Sequence, residues 1–280
     1  MAKLEIYQSL WAMQPHAPDG VKIPVEQAFE MVADAGYDGM AIDLGASDME
    51  SMQATRPLFA QTGLGCLIMA FPKTVEGLRP VLHMAKDFDA IAVNVIGQVP
   101  ALTLAEMIPV LRAWIEMGEE EGVPVLFETH RNCITNDLYT TLELIDSIPQ
   151  MRLCADLSHF VVDREFWFPL SEFDKSLISR ILERSDSFQG RIATREQIQV
   201  SINFPQHREW YDQFADWWEE GFRGWRARNP HGVCNFLCEL GPPEYAITGP
   251  DGLEISNRWD EALQIRERVR RIWDRLESET

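Results

Sequence analysis

Eight short β-prone runs recur along this chain, each followed by a stretch whose apolar residues fall at helical spacing. The runs are KLEIYQ, YDGMAID, GCLIMAF, FDAIAVNV, PVLFETH, MRLCADLS, SFQGRIA and NFLCEL. Between them lie stretches such as PVEQAFEMVADAG, LAEMIPVLRAWIEMGEEEG and TNDLYTTLELIDSIP, and NRWDEALQIRERVRRIWDRL follows the last. Strands that are apolar on both faces need cover on both sides, and amphipathic helices supply it. Eight such units in alternation predict an α/β fold, a (β/α)8 TIM barrel forming a single domain over residues 1–280. No low-complexity tract and no linker rich in Pro, Gly or Ser interrupts the rhythm. A doubly wound open sheet is the alternative, but SLWAMQPHAPDG after the first run lacks the Gly-rich phosphate-binding pattern of that fold.

Charge narrows the partners. Against 25 Lys and Arg stand 44 Asp and Glu, a formal net charge of −19. A nucleic-acid partner needs a dense basic footprint, so none is expected, and attraction to anionic membranes is disfavoured too. No apolar run approaches the roughly 20 residues of a membrane helix, and MAKLEIYQSLWAMQ shows no signal-peptide pattern. The five cysteines (Cys66, Cys133, Cys154, Cys234, Cys238) are sparse and odd in number. They read as reduced, buried thiols in a cytoplasmic protein. Cys234 and Cys238 have no second Cys or His pair to complete a zinc site.

In a barrel the reactive residues belong at the C-terminal ends of the strands. FETHRN offers Glu128, His130 and Arg131; ADLSHF offers Asp156, Ser158 and His159; the seventh run carries Gln189 and Arg191; CELGPP offers Glu239. Charges placed after such apolar runs are costly unless they are paired or bind a cation. Carboxylates that converge on one barrel mouth repel each other, and a divalent ion removes that conflict. Each residue also has a structural reading. Asp156 suits a helix N-cap, while Glu128 and Glu239 are weaker caps. His130 and His159 can equally brace their loops or contact a substrate.

Other stretches carry less chemistry. EWYDQFADWWEEGFRGWRAR places Trp210, Trp217, Trp218 and Trp225 near helical spacing among acids. It reads as a helix packed on the barrel or on another subunit, which leaves a homo-oligomer open. Lys73, after the third run, is a weak Schiff-base candidate. His83 lies on a helical run, His16, His207 and His231 are unexceptional, and GEEEG reads as a solvated helix end.

Four segments, VPVLFETHRN, MRLCADLSHF, GRIATREQIQV and CELGPPEYAIT, occur in the order and on the strands in which the chain resembles the xylose isomerase-like TIM-barrel superfamily, the sugar phosphate isomerase/epimerase proteins. The resemblance extends from SLWAM to the final helix. It implies one divalent metal ion, Mn²⁺ or Mg²⁺ first, with Co²⁺ or Zn²⁺ possible, held by Glu128, Asp156, Gln189 and Glu239. Gln189 stands where the family carries a histidine, and an amide carbonyl is a weaker ligand than imidazole for transition metals.

The resemblance further implies an isomerase or epimerase acting on a sugar or related hydroxy-carbonyl compound. Glu128 and Glu239 would exchange a proton through an enediolate, and His130, Arg131, His159 and Arg191 would hold the small-molecule substrate. A lyase or dehydratase of the same superfamily shares the first step. A ligand-binding barrel without catalysis is the further alternative that Gln189 raises.

Overall fold

The eight runs form eight parallel strands that close into a barrel in sequence order, with β1 (Lys3–Ser9) pairing both β2 (Gly39–Asp43) and β8 (Val233–Cys238). Between them come β3 (Gly65–Ala70), β4 (Val93–Val95), β5 (Val125–Glu128), β6 (Leu153–Ala155) and β7 (Ser185–Gln189). The computed structural model describes residues 1–14 and 21–279, so His16 lies outside the described residues. No helix is long and apolar enough to cross a membrane among those described.

The strand pleat sorts the core into two parts. Tyr7, Ala41, Leu67, Met69, Leu126, Cys154 and Leu237 pack together inside the barrel, whereas Ile6, Met40, Phe127, Phe188 and Phe236 belong to the larger core beneath the helices. Successive side chains alternate faces, so every second residue along β5 to β8 continues the interior column toward the mouth. Gly39 makes room for one interior ring: a Cβ there would lie 2.1 Å from Tyr7 Cε1 and 2.6 Å from the Gly65 carbonyl.

The aromatic-rich stretch is the helix Arg208–Arg228, and Trp210, Trp217, Trp218 and Trp225 are all buried against the barrel side. Cys66, Cys154, Cys234 and Cys238 are buried free thiols, while Cys133 is partly exposed.

Three local expectations need adjustment. The strand in FDAIAVNV is only Val93–Val95, because Asp89 turns the chain with φ 49°. The seventh strand begins at Ser185 and ends at Gln189, so Arg191 lies just beyond it. GEEEG closes the helix Leu104–Glu121, with Gly122 left-handed at φ 69° as its cap. Its last acid is not merely solvated. Glu121 is a hub for Lys86 at 2.9 Å, His83 at 3.2 Å and Arg79 at 3.4 Å.

Candidate active site

The interior columns of β5, β6, β7 and β8 end in polar side chains because the alternation runs past the last apolar layer. Leu126 is followed by Glu128, Cys154 by Asp156, and Leu237 by Glu239. One ligand atom each from Glu128, Asp156 and Glu239 lies within 4.8 Å of the others, and all three residues are buried.

Arg191 stands among them. Its Nε donates to Asp156 Oδ2 at 3.0 Å and its Nη2 to Glu239 Oε2 at 2.9 Å, with the guanidinium side chain 2% exposed. Nη1 donates to Gln199 Oε1 at 3.1 Å. Gln199 is itself clamped on Gly241, accepting from its N–H at 2.6 Å and donating to its carbonyl at 2.8 Å. The other oxygen of Asp156 accepts from Ser158 N at 3.0 Å and from Ser158 Oγ. Asp156 is thus both the N-cap of the helix Leu157–Asp163 and a member of the acid cluster.

Burial and mutual repulsion shift the carboxyls. Burial, then Glu239 and Asp156, push Glu128 well above the usual carboxylate range. Burial raises Glu239 to about 7, with Arg191 as the main opposing influence. Burial works against charge on Arg191 too, but Asp156 and Glu239 outweigh it and hold the guanidinium more firmly protonated.

The histidines are neutral supports of opposite polarity. His130 Nδ1 lies 2.5 Å from the Arg131 carbonyl and must donate, which leaves the Nε2 lone pair free. His159 Nδ1 accepts from Arg131 N at 3.3 Å, so its proton sits on Nε2, which lies 3.6 Å from Asp156 Oδ2. Despite that carboxylate, burial, followed by His130 and the two arginines, holds His159 well below the usual range. Burial lowers His130 to about 4.

A cavity of about 380 Å³ opens above the cluster, lined by Glu128, His130, Arg191 and Glu239 on one side. Trp11, Phe71 and Tyr245 add aromatic walls, and Asp43 and Lys73 also reach it. Of the sequence-derived candidates, Asp156, His159, Arg131 and Gln189 do not line this cavity. Asp156 and His159 lie behind those that do, and Arg131 donates from Nη2 to Tyr245 Oη at 2.6 Å. Gln189 Nε2 reaches toward Cys154 Sγ at 3.6 Å, while its Oε1 is buried without a hydrogen-bond partner.

Sequence reasoning passed over Asp43, Trp11 and Tyr245. Asp43 ends β2 and obeys the same strand-end rule that found the other acids; its Oδ1 accepts from Gly45 N at 2.7 Å and Ala46 N at 2.9 Å. Trp11 follows β1 and packs edge-on against Tyr245, with ring centroids 5.3 Å apart. Tyr245 sits in a loop with no local signature.

The donor set suits a hard divalent cation. Three carboxylates against one guanidinium leave two negative charges when all are ionised. Glu128 Oε2 and Gln189 Oε1 are among the four buried carboxylate or amide oxygens, with Gln8 Oε1 and Asn94 Oδ1, that have no partner among the described residues. Carboxylate and carbonyl oxygens are the ligands that Mg²⁺ and Mn²⁺ prefer.

Residues 29–186 match the family model described as "Xylose isomerase-like TIM barrel". The chain belongs to that family. No curated protein matches it in sequence. Among solved structures, a xylose isomerase-like TIM barrel protein from Mycobacterium smegmatis in complex with magnesium superposes with a TM-score of 0.62 at 14% identity, covering 96% of this chain and 97% of that one. D-allulose 3-epimerase from Methylomonas sp. in complex with D-allulose gives 0.60 at 14% identity, with coverage of 96% and 97%. The probable 3-DHS dehydratase of petrobactin synthesis from Bacillus anthracis gives 0.55 at 13%, with coverage of 94% and 97%. At these identities the xylose isomerase-like barrels share a fold with this chain.

Proposed function

We propose that this barrel is a divalent-metal-dependent isomerase or epimerase acting on a sugar or related hydroxy-carbonyl compound. The observation that carries the reading is the convergence of Glu128, Asp156 and Glu239 within 4.8 Å beside a cavity large enough for a monosaccharide. Glu128, Asp156 and Glu239, with the unpartnered Gln189 carbonyl as the fourth donor, would hold an ion that polarises the substrate's carbonyl and hydroxyl oxygens. A sugar epimerase bound to its sugar and a magnesium complex on the same fold lend support.

The two glutamates divide the proton work. Burial holds Glu128 well above the usual carboxylate range and Glu239 at about 7, so both carboxyls facing the cavity are suited to exchanging protons near neutral pH. Glu239 removes the proton beside the substrate carbonyl, and Glu128 returns one to the neighbouring position or face. Arg191 has two N–H bonds left after Asp156, Glu239 and Gln199, and these are free for a substrate hydroxyl or carboxylate. His130 Nε2, an acceptor at neutral pH, takes a second hydroxyl. Trp11, Phe71 and Tyr245 shield the reaction from water and offer apolar faces to the substrate's C–H groups.

A lyase or dehydratase is the second reading. It shares the proton abstraction and uses Glu128 as the general acid that helps a β-hydroxyl leave; the dehydratase of the same fold lends it support. A panel of ketoses and keto-polyols incubated in D₂O with Mn²⁺ separates the readings. Deuterium in recovered sugar supports isomerisation or epimerisation, and loss of water supports the lyase. Neither exchange nor turnover with any of them would leave a barrel that only binds its ligand.

A further inference from the structure

Besides the two N–H bonds it turns to the cavity, Arg191 is an ion built into the wall of the site. It is held on three sides by Asp156, Glu239 and Gln199, and its guanidinium lies over the Tyr245 ring at 4.7 Å. Gln199, locked to Gly241 by two hydrogen bonds, fixes the direction in which it points.

We infer that Arg191 acts as an internal counter-cation: it keeps the acid cluster folded without metal and weakens the divalent ion that the same carboxylates bind. This rests on the metal site proposed above. Asp156 Oδ2 and Glu239 Oε2 already accept from Arg191, so an ion shared by Glu128, Asp156 and Glu239 sits beside a fixed like charge. Glu128 is the exception. None of its oxygens meets the guanidinium, and its Oε2 is unpartnered, so the cluster retains an open acidic corner for the ion. The arrangement makes the metal a readily exchanged activator, with Arg191 setting its affinity.

The test is Mn²⁺ titration by calorimetry, with thermal unfolding in Mn²⁺ and in chelator, on wild type, Arg191→Met and Arg191→Lys. Arg191→Met should bind Mn²⁺ at least about tenfold more tightly, the expected effect of removing a nearby like charge in a partly screened interior. Its unfolding temperature should fall in chelator and recover in Mn²⁺ by more than that of wild type. Arg191→Lys, which keeps the charge, should remain near wild-type affinity. If Arg191→Met does not fold even in Mn²⁺, Arg191→Gln replaces it, because the amide can still donate to one of the carboxylates. Damage to a merely structural residue would lower metal affinity, so a gain is diagnostic. Binding by wild type without a gain in the neutral variant overturns this inference alone. No Mn²⁺ binding by any of the proteins overturns it together with the metal site.

Discussion

The rings of His130 and His159 lie 4.1 Å apart between centroids, tilted by 46°, and both are held neutral. Two imidazolium ions could not share that space beside Arg191, so the pair costs the fold stability in acid. Unfolded histidines take up protons near pH 6.5. The folded His130 resists until about 4, so its contribution is complete above 6.5 and is lost as the pH falls from 6.5 toward 4. Glu128 and Glu239 act in the opposite sense, because raised folded carboxyls gain protons before the unfolded ones do. The histidine effect is therefore isolated as a difference. Urea unfolding of His130→Asn at pH 6.5, 5.5 and 4.5 should show its stability rising relative to wild type as the pH falls; a constant offset would mean the ring is not held neutral.

Glu239→Gln should lower turnover by about 100-fold or more, since a positioned acid or base contributes that much. The amide oxygen can still accept from Arg191, and one buried carboxylate is removed, so the unfolding temperature should be unchanged or slightly higher. Substantial turnover in the folded variant would remove Glu239 from the chemistry.

Gln189→His replaces an amide with a stronger ligand for transition metals. Co²⁺ affinity should increase, and the visible absorption of the bound Co²⁺ should change as nitrogen enters its coordination. An unchanged spectrum and affinity would show that the side chain at 189 points at Cys154 and away from the ion.

Gly39→Ala tests the barrel wall itself. The new methyl group would meet the Tyr7 ring and the Gly65 backbone oxygen, and the backbone cannot yield cheaply. Destabilisation of about 1–3 kcal/mol is expected from chemical denaturation, as for other overpacked cores. A neutral result would mean that Tyr7 has room to turn aside inside the barrel.

The barrel was legible because each strand keeps its apolar residues together and each helix spaces them by three or four. The same pleat made Glu128, Asp156 and Glu239 legible as ends of interior columns. Strand limits were less so: β7 takes in Ser185 and Asp186, whose polarity hides a strand from a hydrophobic reading, while β4 loses its first residues to the turn at Asp89. Tyr245 and Gln199 were invisible for a different reason. Their positions depend on loops folding back over the mouth, through contacts with Arg131, Arg191 and Gly241 that no local spacing encodes.

Closure of the ring carries a consequence for how the site comes into being. β8 pairs along its length with β1, from Lys3 opposite Val233 to Gln8 opposite Cys238, and the very next residue is Glu239. The strand that seals the barrel therefore delivers the last acid of the cluster. A nascent chain emerging from the ribosome holds Glu128, Asp156 and Arg191 long before it holds their final partner. The full cluster of charges is therefore assembled only when the most sequence-distant pair of strands in the barrel comes together.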